Sequence, residues 1–165
     1  MEIVWKKINN KENQEINNWL TTQDKHNLCM TKKSWKQTAC DISECLQNMD
    51  GAEFKNIVGY LNGKPVVAVM FGVEQIKALN LYNIVVHPAY RNRGIAKHVV
   101  KQLLNNDKSL RLSKYYDRVV VSTLPDNTEA QTLFKVLNFD SLGFDGEYVV
   151  FEKERVQTKD KEIRF

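Results

Sequence analysis

Residues 79–106 constrain the chain more than any other stretch. An apolar run, Leu79 to Val86, stops at Pro88, and Arg91-Asn92-Arg93-Gly94-Ile95-Ala96 then opens a segment with helical periodicity. In it Ile95, Val99 and Leu103 form one row and Ala96, Val100 and Leu104 the next, together a core-facing stripe. A strand that passes through a short basic turn into such a helix places the helix N-terminus beside the end of the strand. Free backbone N–H groups and the positive end of the helix dipole then point at whatever lies beyond. Gly94 removes a side chain where the backbone would approach a ligand closely, and Arg91 and Arg93 add permanent charge. The turn therefore predicts an anion grip, most naturally for a phosphate-bearing ligand.

The rest of the chain supplies a sheet for this unit. Ile3 to Ile8 reads as a first strand and Asn10 to Leu20 as a helix burying Ile16, Trp19 and Leu20. Thr21 to Lys33 is polar and ambiguous. Trp35, Ala39, Ile42, Leu46 and Met49 recur at helical spacing behind Ser34, a candidate N-cap. Ile57–Leu61 and Val66–Val73 are strands joined by Asn62-Gly63, a strong hairpin signal, and Gln75–Ala78 turns into the strand that begins at Leu79. Val119–Leu124 is continuously apolar apart from Ser122 and Thr123, as expected of a central strand covered on both faces. Asp126 or Asn127 caps a helix whose Ala130, Leu133, Phe134 and Leu137 share a face. Ser141–Phe144 and Tyr148–Lys153 close the chain as a hairpin around Asp145-Gly146, with a charged tail from Glu154 expected to fray. The order β α α β β β α β α β β predicts one α+β domain over residues 1–165, with a mixed sheet of about seven strands flanked by helices.

Bulk properties narrow the function. A chain of 165 residues suits a single domain, and a net charge of +4 with pI near 8.9 suits an anionic ligand without arguing for nucleic acid. The most basic run, Lys108 to Lys114, is broken by Leu110 and Leu112 and reads as a solvated face with both leucines buried. Cys29, Cys40 and Cys45 lack CxxC spacing, and His26, His87 and His98 are scattered, so no metal site is expected. Neither a signal-peptide core nor a run of about 18 apolar residues is present, which predicts a soluble, cytoplasmic protein with no membrane partner. No G-x-x-x-x-G-K-[ST] or strand-linked G-x-G-x-x-G occurs, which argues against nucleotide hydrolysis and dinucleotide redox chemistry.

The element order and the turn together resemble the GNAT superfamily of N-acetyltransferases. Its signature here is Gln or Arg, two residues, Gly, one residue, then Gly or Ala, matched by Arg91, Gly94 and Ala96. Val86-His87-Pro88-Ala89-Tyr90 also looks like family sequence, and Asn127, Ala130, Leu133-Phe134 and Leu137-Asn138-Phe139 resemble a later family segment. The resemblance covers residues 55–152 well and the first 50 by element order alone. It implies acetyl-CoA, with Ile84, Val85 and Val86 offering backbone groups to the pantetheine arm. Asn92, Arg93, Gly94, Ile95, Ala96 and Lys97 would wrap the pyrophosphate, Asn127 would bond near the thiol and Phe134 would sit beside the thioester. Arg91 and Arg93 as surface charges, Gly94 as a plain turn and Asn127 as only a cap are the structural alternatives.

The catalytic slots depart from the family pattern. Its usual Tyr acid is Phe134 here, its fifth-strand Glu is Ser122, and the fourth strand offers Asn80, Tyr82 and Asn83 instead of an acid. A thiol with pKa near ~8.5 leaves as thiolate for about 2 kcal/mol at pH 7, whereas deprotonating an alkyl ammonium near ~10.4 costs roughly 4–5 kcal/mol. The base is therefore the larger need. A water chain past Ser122 or Tyr82, a loop group such as Asp24, His26, Asp145 or Glu147, or a weakly basic acceptor would meet it. The expected activity is acetyl transfer from acetyl-CoA to an amine of a small molecule or protein. The rivals are an acyl-CoA-binding module with little or no turnover and a transferase acting on aminoacyl-tRNA. The acceptor side falls in Asp24–Met49 and the Asp145-Gly146 loop, where Trp35 is either core or a platform. A homodimer is left open.

Overall fold

The computed structural model describes residues 1–74 and 76–156. At Asn62-Gly63 both residues take positive φ (51° and 79°), the twist that joins antiparallel strands through two residues. This turn links β2 (Glu53–Leu61) to β3 (Lys64–Val73), and β4 (Ala78–Val86) follows through a second tight turn. With β1 (Val4–Lys7), β5 (Arg118–Thr123), β6 (Asp140–Phe144) and β7 (Val149–Glu154) they form one seven-stranded sheet, order β1-β2-β3-β4-β5-β7-β6. Every neighbouring pair is antiparallel except β4 and β5. That exception is the expected βαβ crossover, made by α4 (Ile95–Asn105).

Period-two alternation along the strands feeds two cores. Val58, Ala68, Met70 and Val85 pack with Ile16 and Trp19 of α1 (Asn10–Trp19) and with Trp35 and Ala39 of α3 (Trp35–Gln47). Val69, Phe71, Leu79, Leu81, Val119 and Val121 face the other way, onto Ile95, Val99 and Leu103 of α4 and Phe134 of α5 (Thr128–Val136). The predicted stripe of α4 is this second core's lid. Each buried Val, Leu, Ile, Met or Phe among them contributes about 1.5–3 kcal/mol over leaving it in water.

Several expectations need correction. The ambiguous segment holds a short helix, α2 (Thr22–Asn27), started by a capping box between Thr21 and Asp24. Met49 lies beyond the end of α3 and is exposed. Val119–Leu124 is covered on one face only: Val119, Val121 and Thr123 are buried, while Val120 is half-buried and Ser122 exposed. The core packed under α1 and α3 draws its strand residues from β2, β3 and β4 and stops short of β5. Glu154 belongs to β7, and Arg155 is buried, its N–H donating to the Asp117 carbonyl at 2.8 Å. The remaining predicted tail, 157–165, lies outside the described residues. In the basic run Leu110 is buried and Leu112 half-buried. No helix among the described residues is long and apolar enough to cross a membrane.

Candidate active site

β4 and β5 are paired only from Ala78–Leu81 to Arg118–Val121 and then part. The cause is a bulge in β4: Phe71 faces Leu81 and Met70 faces Asn83, so Tyr82 has no partner on β3 and the strand bends. His87 N–H bonds the Val66 carbonyl at 2.8 Å, and strand alternation therefore turns the backbone groups of Ile84 and Val86 toward the gap and those of Val85 toward β3.

Past Pro88–Tyr90 the chain enters the basic turn. Asn92 (φ 62°) and Gly94 (φ 79°) are both left-handed, and no side chain caps α4. The first intrahelical bond of α4 runs from His98 N–H to the Gly94 carbonyl, leaving the N–H groups of Ile95, Ala96 and Lys97 without helical partners. A Cβ added at Gly94 meets no protein atom within 4 Å. The glycine thus answers to φ and to an open space, not to crowding within the protein. A groove of about 380 Å³ lies here, reached by Ile84, Val85, Val86, Arg91, Asn92, Gly94, Ile95, Ala96, Lys97 and Asn127. Asn127 also caps α5, its Oδ1 accepting from Ala130 N–H at 3.2 Å, so capping and a place on the groove coexist.

Three expected groups stand differently. Arg91 is not a free cation: its guanidinium donates to both carboxylate oxygens of Asp24 (3.0 and 3.3 Å), to the Trp19 carbonyl and, through Nε, to Val86 O at 3.0 Å. Burial alone would raise the Asp24 pKa, but the Thr21 N–H bond and Arg91 outweigh it and hold the carboxyl below its usual value. Arg93 is exposed over the Tyr90 ring at 5.2 Å and does not line the groove. Phe134 is 2% exposed, against Phe139 and Phe151 at ring distances of 5.1 and 6.0 Å, and the groove wall beside it is made by Ala130 and Leu133.

Where β4 and β5 diverge, a second cavity of about 310 Å³ holds Tyr82 and Ser122 together with Asn80, Asn83 and Tyr148. No carboxylate lines it among the described residues. The four loop groups read as candidate bases are elsewhere or engaged: Asp24 with Arg91, His26 with Asp126 at 2.9 Å, and Asp145 accepting from Glu147 and Tyr148 N–H, while Glu147 lies off the cavity. Sequence reading missed Glu74, whose Oε1 lies 3.4 Å from the Tyr82 hydroxyl. Burial first, and Glu74 second, push the Tyr82 pKa up. Only the hairpin geometry of β3 and β4 reveals that neighbour. A Cβ at Gly72 would stand 3.0 Å from the Glu53 carbonyl oxygen, 3.1 Å from Leu46 Cδ1 and 3.3 Å from the Tyr82 ring, so the glycine makes room for all three.

Asn27 and Leu28 line both cavities, so α2 and the residue after it form the partition between them. It is fastened on both sides: Asp24 to Arg91, His26 to Asp126, and Cys29 Sγ 3.7 Å from the Tyr148 hydroxyl. Trp35 is fully buried and belongs to the core, its Nε1 donating to Asn56 Oδ1 at 2.9 Å.

Solved structures with this fold include the ribosomal-protein-S18-alanine N-acetyltransferase from Escherichia coli (14% identity, TM-score 0.60, 95% of this chain and 96% of that one). An acetyltransferase from Thermus thermophilus (11%, 0.70, 93% and 97%) and the aminoglycoside acetyltransferase AAC(6')-Ib in complex with coenzyme A (12%, 0.68, 93% and 95%) are also similar. No curated protein matches the sequence. The family model for the Acetyltransferase (GNAT) family matches residues 13–139, and the chain belongs to that family.

Proposed function

We propose that the protein moves an acetyl group from acetyl-CoA to a primary amine by direct attack. The observation that carries this reading is the pair of cavities on either side of the α2 partition at the parting of β4 and β5. The groove fits the donor: three N–H groups at the start of α4, the space beside Gly94 and the Lys97 cation suit a pyrophosphate. Ile84 and Val86 suit an extended amide-bearing arm, which would lie along β4 as an added strand. Asn127 stands at the thiol end, and Phe134 supports that wall from behind. The polar cavity then receives the acceptor. A known structure of the same fold holds coenzyme A, which supports this donor.

The chain's own residues position and polarise. Backbone N–H groups of β4 facing the gap would stabilise the charge that develops on the thioester oxygen. Ser122 and Tyr82 are hydroxyls in the acceptor cavity and carry the amine proton outward through water, and an acceptor already partly neutral at pH 7 reduces the ~4–5 kcal/mol that deprotonation demands. Relatives of this fold act on targets as different as a ribosomal protein and aminoglycosides, so the acceptor is an amine of a small molecule or a protein.

Thiol release from acetyl-CoA, followed against a panel of amines and peptides, tests the proposal. At least one acceptor should give release above the rate of hydrolysis. Tight acetyl-CoA binding with no release for any amine would instead establish an acyl-CoA-binding module.

A further inference from the structure

A third cavity lies three strands away from the reaction and is used by none of it. β1 ends at Lys7, opposite Ile57, while β2 extends to Glu53, so the edge of β2 from Glu53 to Asn56 has no strand beside it. The loop around residues 108–111 closes over this step, with Leu110 buried against the core. The resulting notch has a volume of about 750 Å³, within the range of small-molecule sites. Trp5, Ile57 and Leu110 give it apolar walls, and Lys7, Lys55 and Arg111 give it charge, with no carboxylate among its lining residues.

Those cations are largely uncompensated. Lys55 has Glu53 at 3.9 Å, whereas Lys7 and Arg111 have no ion-pair partner among the described residues. The loop that presents Arg111 is fastened at both ends. Asp107 accepts from the N–H and hydroxyl of Ser109 (2.9 and 2.7 Å), and Glu53 accepts from the N–H groups of Ser113 and Lys114 (3.0 and 2.9 Å). Between these points Arg111 is held at φ 53°, a left-handed conformation that L-residues seldom adopt. Trp5 Nε1 is buried without a hydrogen-bond partner among the described residues. Uncompensated like charges around one concavity are unfavourable for folding alone, and an anion placed among them would relieve that repulsion. A rigid presenting loop lowers the entropy lost when that ligand binds.

We propose that this notch binds a small organic polyanion of nucleotide size, with its charged groups on Lys7, Lys55 and Arg111 and its ring over Trp5 and Ile57. The test is a titration of the folded protein with adenosine triphosphate, followed by the indole N–H resonance of Trp5, with Trp5→Phe used to assign it among the three tryptophans. It is run under two conditions, on the unaltered protein and on Gly94→Ala, since loss of the signal with that glycine would put the nucleotide in the other groove instead. The expected result is a saturable shift in both conditions, weakened at least tenfold in Lys7→Glu/Arg111→Glu and in the milder Lys55→Gln, with acetyl transfer unchanged. An unmoved Trp5 resonance, a shift that survives charge reversal, or equal binding of inorganic triphosphate, which has no ring, would each overturn the proposal.

Discussion

Gly94 bears two demands at one atom. Its φ of 79° disfavours any residue with a Cβ, and the space into which that Cβ would project is where the donor's phosphates are proposed to lie. Gly94→Ala is expected to lose about 1 kcal/mol, or about 2–4 °C of Tm, and to raise the acetyl-CoA KM at least tenfold. An unchanged KM beside a lowered Tm would show that only the turn needs the glycine. Phe134 makes a contrasting case. Its ring is enclosed by Phe139 and Phe151, so Phe134→Ala should cost about 3–5 kcal/mol in a denaturant melt. Phe134→Tyr should bring no gain in kcat, because the added hydroxyl would enter apolar packing and not the groove. Gly94 and Phe134 were both legible as positions in a motif. What could not be read was the partner of Arg91, since Asp24 is 67 residues away and nothing in local pattern pairs them.

Among the elements, α2 shows why local periodicity fails. Its six residues include none that are buried, so it has no apolar stripe to detect. The Thr21-x-x-Asp24 cap that begins the helix was not read from the sequence either. Asp24 then takes on a second duty in clamping α2 to Arg91. Its folded pKa lies below the ordinary Asp value near 3.9, so the pair's stabilisation is complete above that pH and is lost as pH falls below it. Asp24→Asn should therefore remove no more than about 1 kcal/mol at neutral pH, given the partial exposure of the pair, and should flatten the acid limb of the stability curve. Superimposable acid limbs for the two proteins would count against the clamp. β5 illustrates the opposite error. Its apolar run suggested a strand covered twice over, but coverage depends on how far the helices extend, which a single strand's sequence does not encode.

For the molecule as a whole, the mixed sheet of seven strands flanked by helices followed from element order, and the proposed donor groove from one turn. The acceptor side did not, because it is assembled from α2, α3, β4, β5 and the residue before β7, none of which carries a motif of its own. Its chemistry nevertheless predicts behaviour. With no carboxylate lining the cavity among the described residues, kcat/KM should rise with pH toward the acceptor's own pKa, and weakly basic amines should react well at pH 7. A plateau near pH 6 that is the same for every acceptor would reveal an enzymic base instead. Ser122→Ala and Tyr82→Phe are expected to lower kcat by about 10–100-fold with the acetyl-CoA KM little altered. The partition of Asn27 and Leu28 has a thermodynamic counterpart. A side chain that lines both cavities cannot yield to a ligand on one side without altering the room on the other. If the two cavities hold donor and acceptor as proposed, whatever factor acceptor occupancy imposes on donor affinity, donor occupancy must impose on acceptor affinity.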